Sequence, residues 1–294
     1  MVVLGLAAAT LGAPGVRAQE AAIQAVPVTP SINITPRRIT FDRLGRTAAV
    51  YIHNPGAASG NFNIELVDRL MLPDGQLVPA ADAASVAAYK PQLDRLQSAR
   101  PLLLVTPRRT SLQANAGQTI RVRVGAASNI APGEYRTHLT VTGIPPADAG
   151  LTVDNAAAQS AGALSFRISS VLGISIPVIV RVGPIDVRAT IGDATISQAA
   201  AAPGGGKPSA TLDLILGRTG RNSLFGNIEV RSERDRGEPL GLLRGIGVYT
   251  EIDNRRVSIP LSRMPAPGER ITINFVDDDT APGKVLASAR INAP

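Results

Sequence analysis

The sequence predicts an all-β protein built as two immunoglobulin-like β-sandwich domains. Across residues 164–180, apolar side chains fall on nearly every even position: Leu164, Phe166, Ile168, Leu172, Ile174, Ile176, Val178 and Val180. Ser, Arg and Gly fill most of the odd ones. Period two is the pattern of a strand and not of a helix. The run also exceeds the usual strand length of roughly 3–10 residues. Each half of the chain carries about seven short β-rich segments with turn residues every eight to twelve positions, the spacing of a sandwich. Gly 28 and Pro 23 among 294 residues supply those turns.

In the first half, residues 31–41 read as an extended segment broken by Pro36. Residues 48–53 form a second strand, ended by Asn54-Pro55-Gly56, where Pro presets φ and Gly permits positive φ. Residues 61–67 alternate through Phe62, Ile64 and Leu66. Residues 82–96 are Ala-rich, with Val86, Tyr89 and Leu93 at helical spacing and Pro91 interrupting, compatible with a short helix or with a loop. Strands follow at 101–105, 120–124 and 133–142, the last alternating through Tyr135, Thr137, Leu139 and Val141 before Pro145-Pro146. Residues 147–161 are low in large apolar side chains and read as a flexible loop before the long strand. Thr35-Pro36-Arg37-Arg38 is echoed by Thr106-Pro107-Arg108-Arg109, read as two similar strand starts within one sandwich.

Val182-Gly183-Pro184 breaks the pattern and is the expected hinge. Beyond it the strand candidates are 185–191, 210–216, 226–231, 242–249, 256–260, 270–275 and 286–291, with a Gly- and Ala-rich mobile loop at 197–209. The expected organisation is therefore 1–18 signal peptide, 19–30 flexible leader, 31–182 N-terminal domain and 183–294 C-terminal domain. Residues 1–18 carry an apolar run ending in Val16-Arg17-Ala18, a small-residue cleavage pattern without the usual positive start. That run is too short to span a bilayer, so the mature chain is expected to be exported, periplasmic and not embedded in a membrane.

Composition narrows the function. Without Cys there is no disulfide, zinc-thiolate or thiol nucleophile. The net charge of +7 comes from dispersed Arg, and only 3% of residues are aromatic. Nucleic-acid binding calls for clustered basic residues with stacking aromatics, so it is not expected. The two histidines, His53 and His138, lie within strands and lack a third ligand or a nucleophile. Gly204-Gly205-Gly206-Lys207 is followed by Pro208 where a phosphate loop needs Ser or Thr. Asp277-Asp278-Asp279 reads as a solvated turn and not as a metal site. No enzyme and no cofactor are expected.

Four segments carry a resemblance: TPRRITFD at 35–42, EYRTHLTVTGIPP at 134–146, the alternating run ending in Ile179-Val180-Arg181, and FVDDDTAPGKVL at 275–286. In this order and spacing the chain resembles the PapD-like periplasmic pilus-assembly chaperones of the chaperone–usher family. The resemblance is closest over 31–182. It implies two immunoglobulin-like domains in an L or boomerang, with a cleft that receives a pilin-like subunit lacking its last strand. It implies that the chaperone lends its long strand to that subunit and delivers it to an outer-membrane usher. The donor residues are then Leu164, Phe166 and Ile168, and residues 172–180 belong to the chaperone's own sheet.

The resemblance further implies a basic pair that grips the subunit's terminal carboxylate. Arg38 matches one member. The other, normally Lys, falls at Ser175 when counted back from Arg181 with one residue inserted, and no Lys lies in the run. Arg37 or Arg167 is a substitute within reach of the pattern. Arg123, Glu134, Arg181 and either Asp278 or Asp279 match a set of charges joining the two domains. Such charges must be mutually paired, because an isolated buried charge is costly. An exposed apolar edge is compatible with a self-capping dimer. The rival expectation is a structural or adhesive exported protein with two such domains and no client.

Overall fold

A computed structural model describes residues 31–125, 130–145, 171–199, 209–234 and 237–294. The expected signal peptide and flexible leader, and Leu164, Phe166, Arg167 and Ile168, lie outside the described residues.

The first sandwich packs a four-stranded sheet on a five-stranded one. The four-stranded sheet orders β1 (Asn33–Thr35), β3 (Thr47–His53), β9 (Gly117–Val124) and β7 (Leu103–Thr106). The other orders β2 (Ile39–Phe41), β11 (Gly173–Val182), β10 (Gly133–Ile144), β4 (Gly60–Val67) and β8 (Arg109–Leu112). All pairings are antiparallel except the parallel pair of β2 and β11. Alternation does the sorting: Ile120, Val122 and Val124 of β9 face the core, while Arg121 and Arg123 face out. Val50, Ile52, Phe62, Ile64, Leu139, Val141, Ile176, Val178 and Val180 complete that core. Each fully buried apolar side chain of this kind contributes about 1.5–3 kcal/mol.

The paired Thr-Pro-Arg-Arg segments occupy equivalent places. Pro36 lies between β1 and β2, and Pro107 between β7 and β8, both after cis peptide bonds. At each the chain leaves one sheet for the other, so the break read at Pro36 within 31–41 separates two strands. Proline has no N–H to continue a ladder, which suits a sheet exit.

Between β4 and β7 an insertion forms the hairpin β5 (Arg69–Met71) and β6 (Leu77–Pro79), then α1 (Ala80–Ala83), a 3₁₀ turn (Ala87–Tyr89) and α2 (Lys90–Arg95). The helical reading of 82–96 resolves into these short pieces. Pro91 sits in the first turn of α2, where a missing N–H leaves no bond unmade. Leu70, Leu72 and Ala83 form a small core of their own beneath it.

The second sandwich sets β12 (Ala189–Ala199), β13 (Ser209–Arg218) and β16 (Asn254–Leu261) against β15 (Gly241–Val248), β14 (Leu224–Ser232), β17 (Arg270–Asp277) and β18 (Val285–Asn292). The strand expected at 185–191 begins four residues later and runs on to 199, taking in the first residues of the expected mobile loop. Ser197↔Thr211 and Ala199↔Ser209 are paired there, because backbone pairing and not composition decides where a strand ends. Gly183, at φ +88, follows directly on β11 and turns the chain into the second sandwich.

The two sandwiches share packing. Ile179 on the outer face of β11 and Met71 of the insertion both belong to the second domain's core, beside Leu224, Ile246 and Tyr249.

Candidate functional site

The outer face of β10 decides the character of the cleft. Its odd residues Tyr135, Thr137, Leu139 and Val141 face inward, so Glu134, Arg136, His138 and Thr140 face outward. In an uncovered sheet these four would be solvated. Here all four are buried, under the insertion and the second domain.

At one end lies a four-residue charge cluster. Arg181 donates from Nε to Glu134 Oε2 at 2.9 Å and from Nη2 to Asp279 Oδ2 at 2.6 Å. Arg38 donates from Nη2 to the same Asp279 oxygen at 2.9 Å, with its guanidinium 4.4 Å from the centre of the Phe225 ring. Glu134 Oε2 also accepts the Ser223 N–H at 3.1 Å and Asn222 Nδ2 at 3.4 Å. Two cations and two anions therefore join the sandwiches with no net charge. Burial works against the Arg181 cation, but Glu134 and Asp279 outweigh it and hold its pKa above the ordinary arginine value.

This places the sequence-predicted charges individually. Glu134, Arg181 and Asp279 come together. Arg123 does not: it stands exposed on β9, opposite Thr47 and Leu104, because its position in the alternation points it away from the core and the cleft. Asp278 is exposed too, one residue out of phase, and contributes only its N–H, to Phe225 O at 3.0 Å. Asp277 is turned inward and satisfied by its own loop, accepting from the N–H groups of Asp279, Thr280 and Ala281 and from the Thr280 hydroxyl. Among the described residues no cluster of three or more His, Asp and Glu could hold a metal ion.

A second cluster, without a signal in the sequence, lies farther along β10. Arg136, among the largest fully buried side chains of the described residues, forms an ion pair with the buried Glu251 of the second domain. It also donates to the Arg69 carbonyl at 2.8 Å and lies 4.0 Å from the centre of the Tyr249 ring. Glu251 accepts the Met71 N–H at 2.8 Å. Arg136 Nη1 and His138 Nδ1 are 3.3 Å apart. Arginine can only donate, so His138 accepts at Nδ1 and keeps its proton on Nε2. Burial first, then Arg136 and Arg69, push the His138 pKa down to about 2. The two histidines never meet, since His53 lies on β3 in the other sheet, stacked on Tyr51.

Ser175 lies on the same outer face as Ile179 and Arg181. Its Oγ is 2.8 Å from Thr140 Oγ1 and accepts from Arg69 Nε at 3.2 Å. The cation beside Ser175 is thus Arg69, delivered by the insertion and not by the long strand. Its terminal nitrogens make no hydrogen bond or ion pair among the described residues. In the same way Arg38 keeps Nε and Nη1 buried without a partner among the described residues.

The β11 edge is open over part of its length. On one side β10 pairs with it from Gly173 to Val182; on the other, β2 reaches only Val178, Ile179 and Val180. Residues 173–177 have no strand on that side among the described residues. At the adjoining end of the β10–β11 pair Ile144, Val171 and Leu172 expose 37%, 53% and 49% of their surface.

No family model matches the sequence, and no curated protein matches it. Solved structures do resemble it in shape. The Escherichia coli chaperone DraB is 13% identical, with a TM-score of 0.42 over 90% of this chain and 97% of that one. The Pseudomonas aeruginosa CupB2 chaperone is 11% identical, with a TM-score of 0.41 over 89% and 100%. A chain of the CsuC–CsuE chaperone–tip subunit pre-assembly complex of Acinetobacter baumannii Csu pili is 11% identical, with a TM-score of 0.40 over 90% and 99%.

Proposed function

We propose that this protein is a periplasmic chaperone that holds incomplete pilin-like subunits by donating a β-strand and passes them to an outer-membrane usher. The observation that carries the reading is the edge of β11, half-open among the described residues and flanked by the exposed apolar Ile144, Val171 and Leu172. A strand with free N–H and C=O groups along one side is a template for another chain. A subunit missing its last strand has the complementary need, and joining the two covers both edges. The side chains that would fill the subunit's groove are Leu164, Phe166 and Ile168, at about 1.5–3 kcal/mol for each one fully buried. The protein needs no cofactor for this and no reaction step.

The subunit's terminal carboxylate is assigned to the cleft beside Arg38 and Ser175. A carboxylate suits guanidinium forks. The unpartnered donors of Arg38 and Arg69 support this assignment, with Ser175 and Thr140 orienting Arg69. Arg69 then replaces the missing Lys of the long strand. The Glu134–Arg181–Asp279 cluster joins the two sandwiches at one end of their interface.

The test is co-purification, from periplasm, of the full chain with the pilin-like subunits encoded near it. Capture is expected, is expected to fall at least tenfold for Phe166→Asp with Ile168→Asp, and is expected to weaken for Arg69→Ala. Capture unchanged in the Phe166/Ile168 variant would sink strand donation. Loss in that variant with none in Arg69→Ala would remove only the carboxylate assignment. Failure to retain any such subunit would favour the structural or adhesive alternative.

A further inference from the structure

We infer that the insertion between β4 and β7 is a clasp that holds the two sandwiches at one angle, so that the cleft is preformed and does not close around a ligand. Two domains joined by a short linker and one contact can pivot about that contact. Here the linker after Gly183 and the Arg38–Arg181–Asp279 contact lie at one end of the interface. The insertion supplies a second set of contacts at the other.

These contacts differ in kind. Met71 places its side chain in the second domain's core and gives its N–H to Glu251. Glu251 is fully buried and also holds Arg136 through Nη2, which donates to the Arg69 carbonyl as well. One carboxylate thus ties together β10, β5 and the second domain. Past β5, the Arg256 N–H donates to Pro73 O at 2.8 Å. Gly75, at φ +89, turns the hairpin directly under the Arg255 guanidinium. Arg95 grips Asp253 with two bonds, of 2.9 and 2.6 Å. That last pair is exposed and adds little. The apolar anchor and the buried carboxylate carry the clasp, because breaking a buried pair leaves an uncompensated charge. A site held in its binding shape loses less freedom on association.

The absence of Cys makes the test direct. Spin labels on a Thr119→Cys, Ser288→Cys frame, both exposed strand positions in different sandwiches, report the interdomain distance of the full chain by pulsed electron resonance. A single narrow distribution is expected. Met71→Ala is expected to shift and broaden it, by withdrawing the insertion's apolar anchor from the second domain's core. Val50→Ala is the control, since Val50 is a fully buried side chain of the first sandwich's own core. It truncates a core without touching the clasp and is expected to leave the distribution unchanged. Glu251→Gln, which removes the charge while keeping the shape, is expected to broaden it as well. A distribution as narrow as the parent's in both Met71→Ala and Glu251→Gln overturns the clasp. So does equal broadening by Val50→Ala.

Discussion

Replacing Arg181 by Ala is the sharpest probe of the charge cluster. It removes the one side chain that touches both Glu134 and Asp279. The two anions are not equally exposed to the loss. The Glu134 side chain is 1% exposed and that of Asp279 11%. Asp279 keeps Arg38 at 2.9 Å, but Glu134 is left with the Ser223 N–H and a long contact to Asn222. A buried carboxylate stripped of its cation costs about 3–5 kcal/mol. Asp279→Asn leaves the Arg181–Glu134 pair intact and should cost only about 1–2 kcal/mol, the loss of charge-assisted bonds at a partly exposed group. The decisive comparison is Arg181→Met with Glu134→Gln. Removing both charges together avoids the unpaired one, so the double variant should be more stable than the sum of the singles by about 1–3 kcal/mol. Denaturant unfolding is the assay, followed by far-UV circular dichroism because the chain has no Trp. A loss below about 1 kcal/mol for Arg181→Ala, or strict additivity in the cycle, would refute the reasoning.

Acid should weaken the fold through His138. Unfolded, it takes up a proton near its ordinary value of 6.5; folded, it resists protonation down to about 2. Between those values the unfolded chain binds the extra proton, so stability falls as pH drops below about 6.5. His138→Gln, which can still accept from Arg136, should reduce the loss measured between pH 7 and pH 5 by about 2 kcal/mol, from about 1.5 pH units at about 1.36 kcal/mol each. An unchanged pH dependence in that variant would contradict the burial argument. Arg123→Ala and Asp278→Ala should each change unfolding stability by no more than about 0.5 kcal/mol, as exposed positions away from special features do. A loss of several kcal/mol in either would return that residue to the interdomain network.

Much of the architecture was legible because alternation is a local property. A side chain two residues along a strand points the same way whatever surrounds it, so β3, β4, β9, β10 and β17 could be read from their apolar spacing. Turn residues marked most of their ends. Glu134, Arg181 and Asp279 were reachable only through the resemblance of their segments, and the same route drew in Arg123 and Asp278, whose neighbours match but whose phase along the strand does not. Boundaries failed where pairing ruled, as in β12, whose last residues look like loop and are held by β13.

What the sequence determined by itself was the inner face of each strand, the all-β class and the absence of thiol chemistry. What only the tertiary structure decided was the outer face of β10 and β11. Glu134, Arg136, His138 and Thr140 have the spacing of a solvated row, and no local pattern separates a wet row from a covered one. The cover comes from Asn222 and Ser223 beside Glu134 and from Tyr249 and Glu251 beside Arg136 and His138, 88 to 115 residues away along the chain from the groups they cover. The cost of burying a charge is settled by whatever partner folding brings beside it, and that partner is specified by the whole chain and not by the strand that carries the charge.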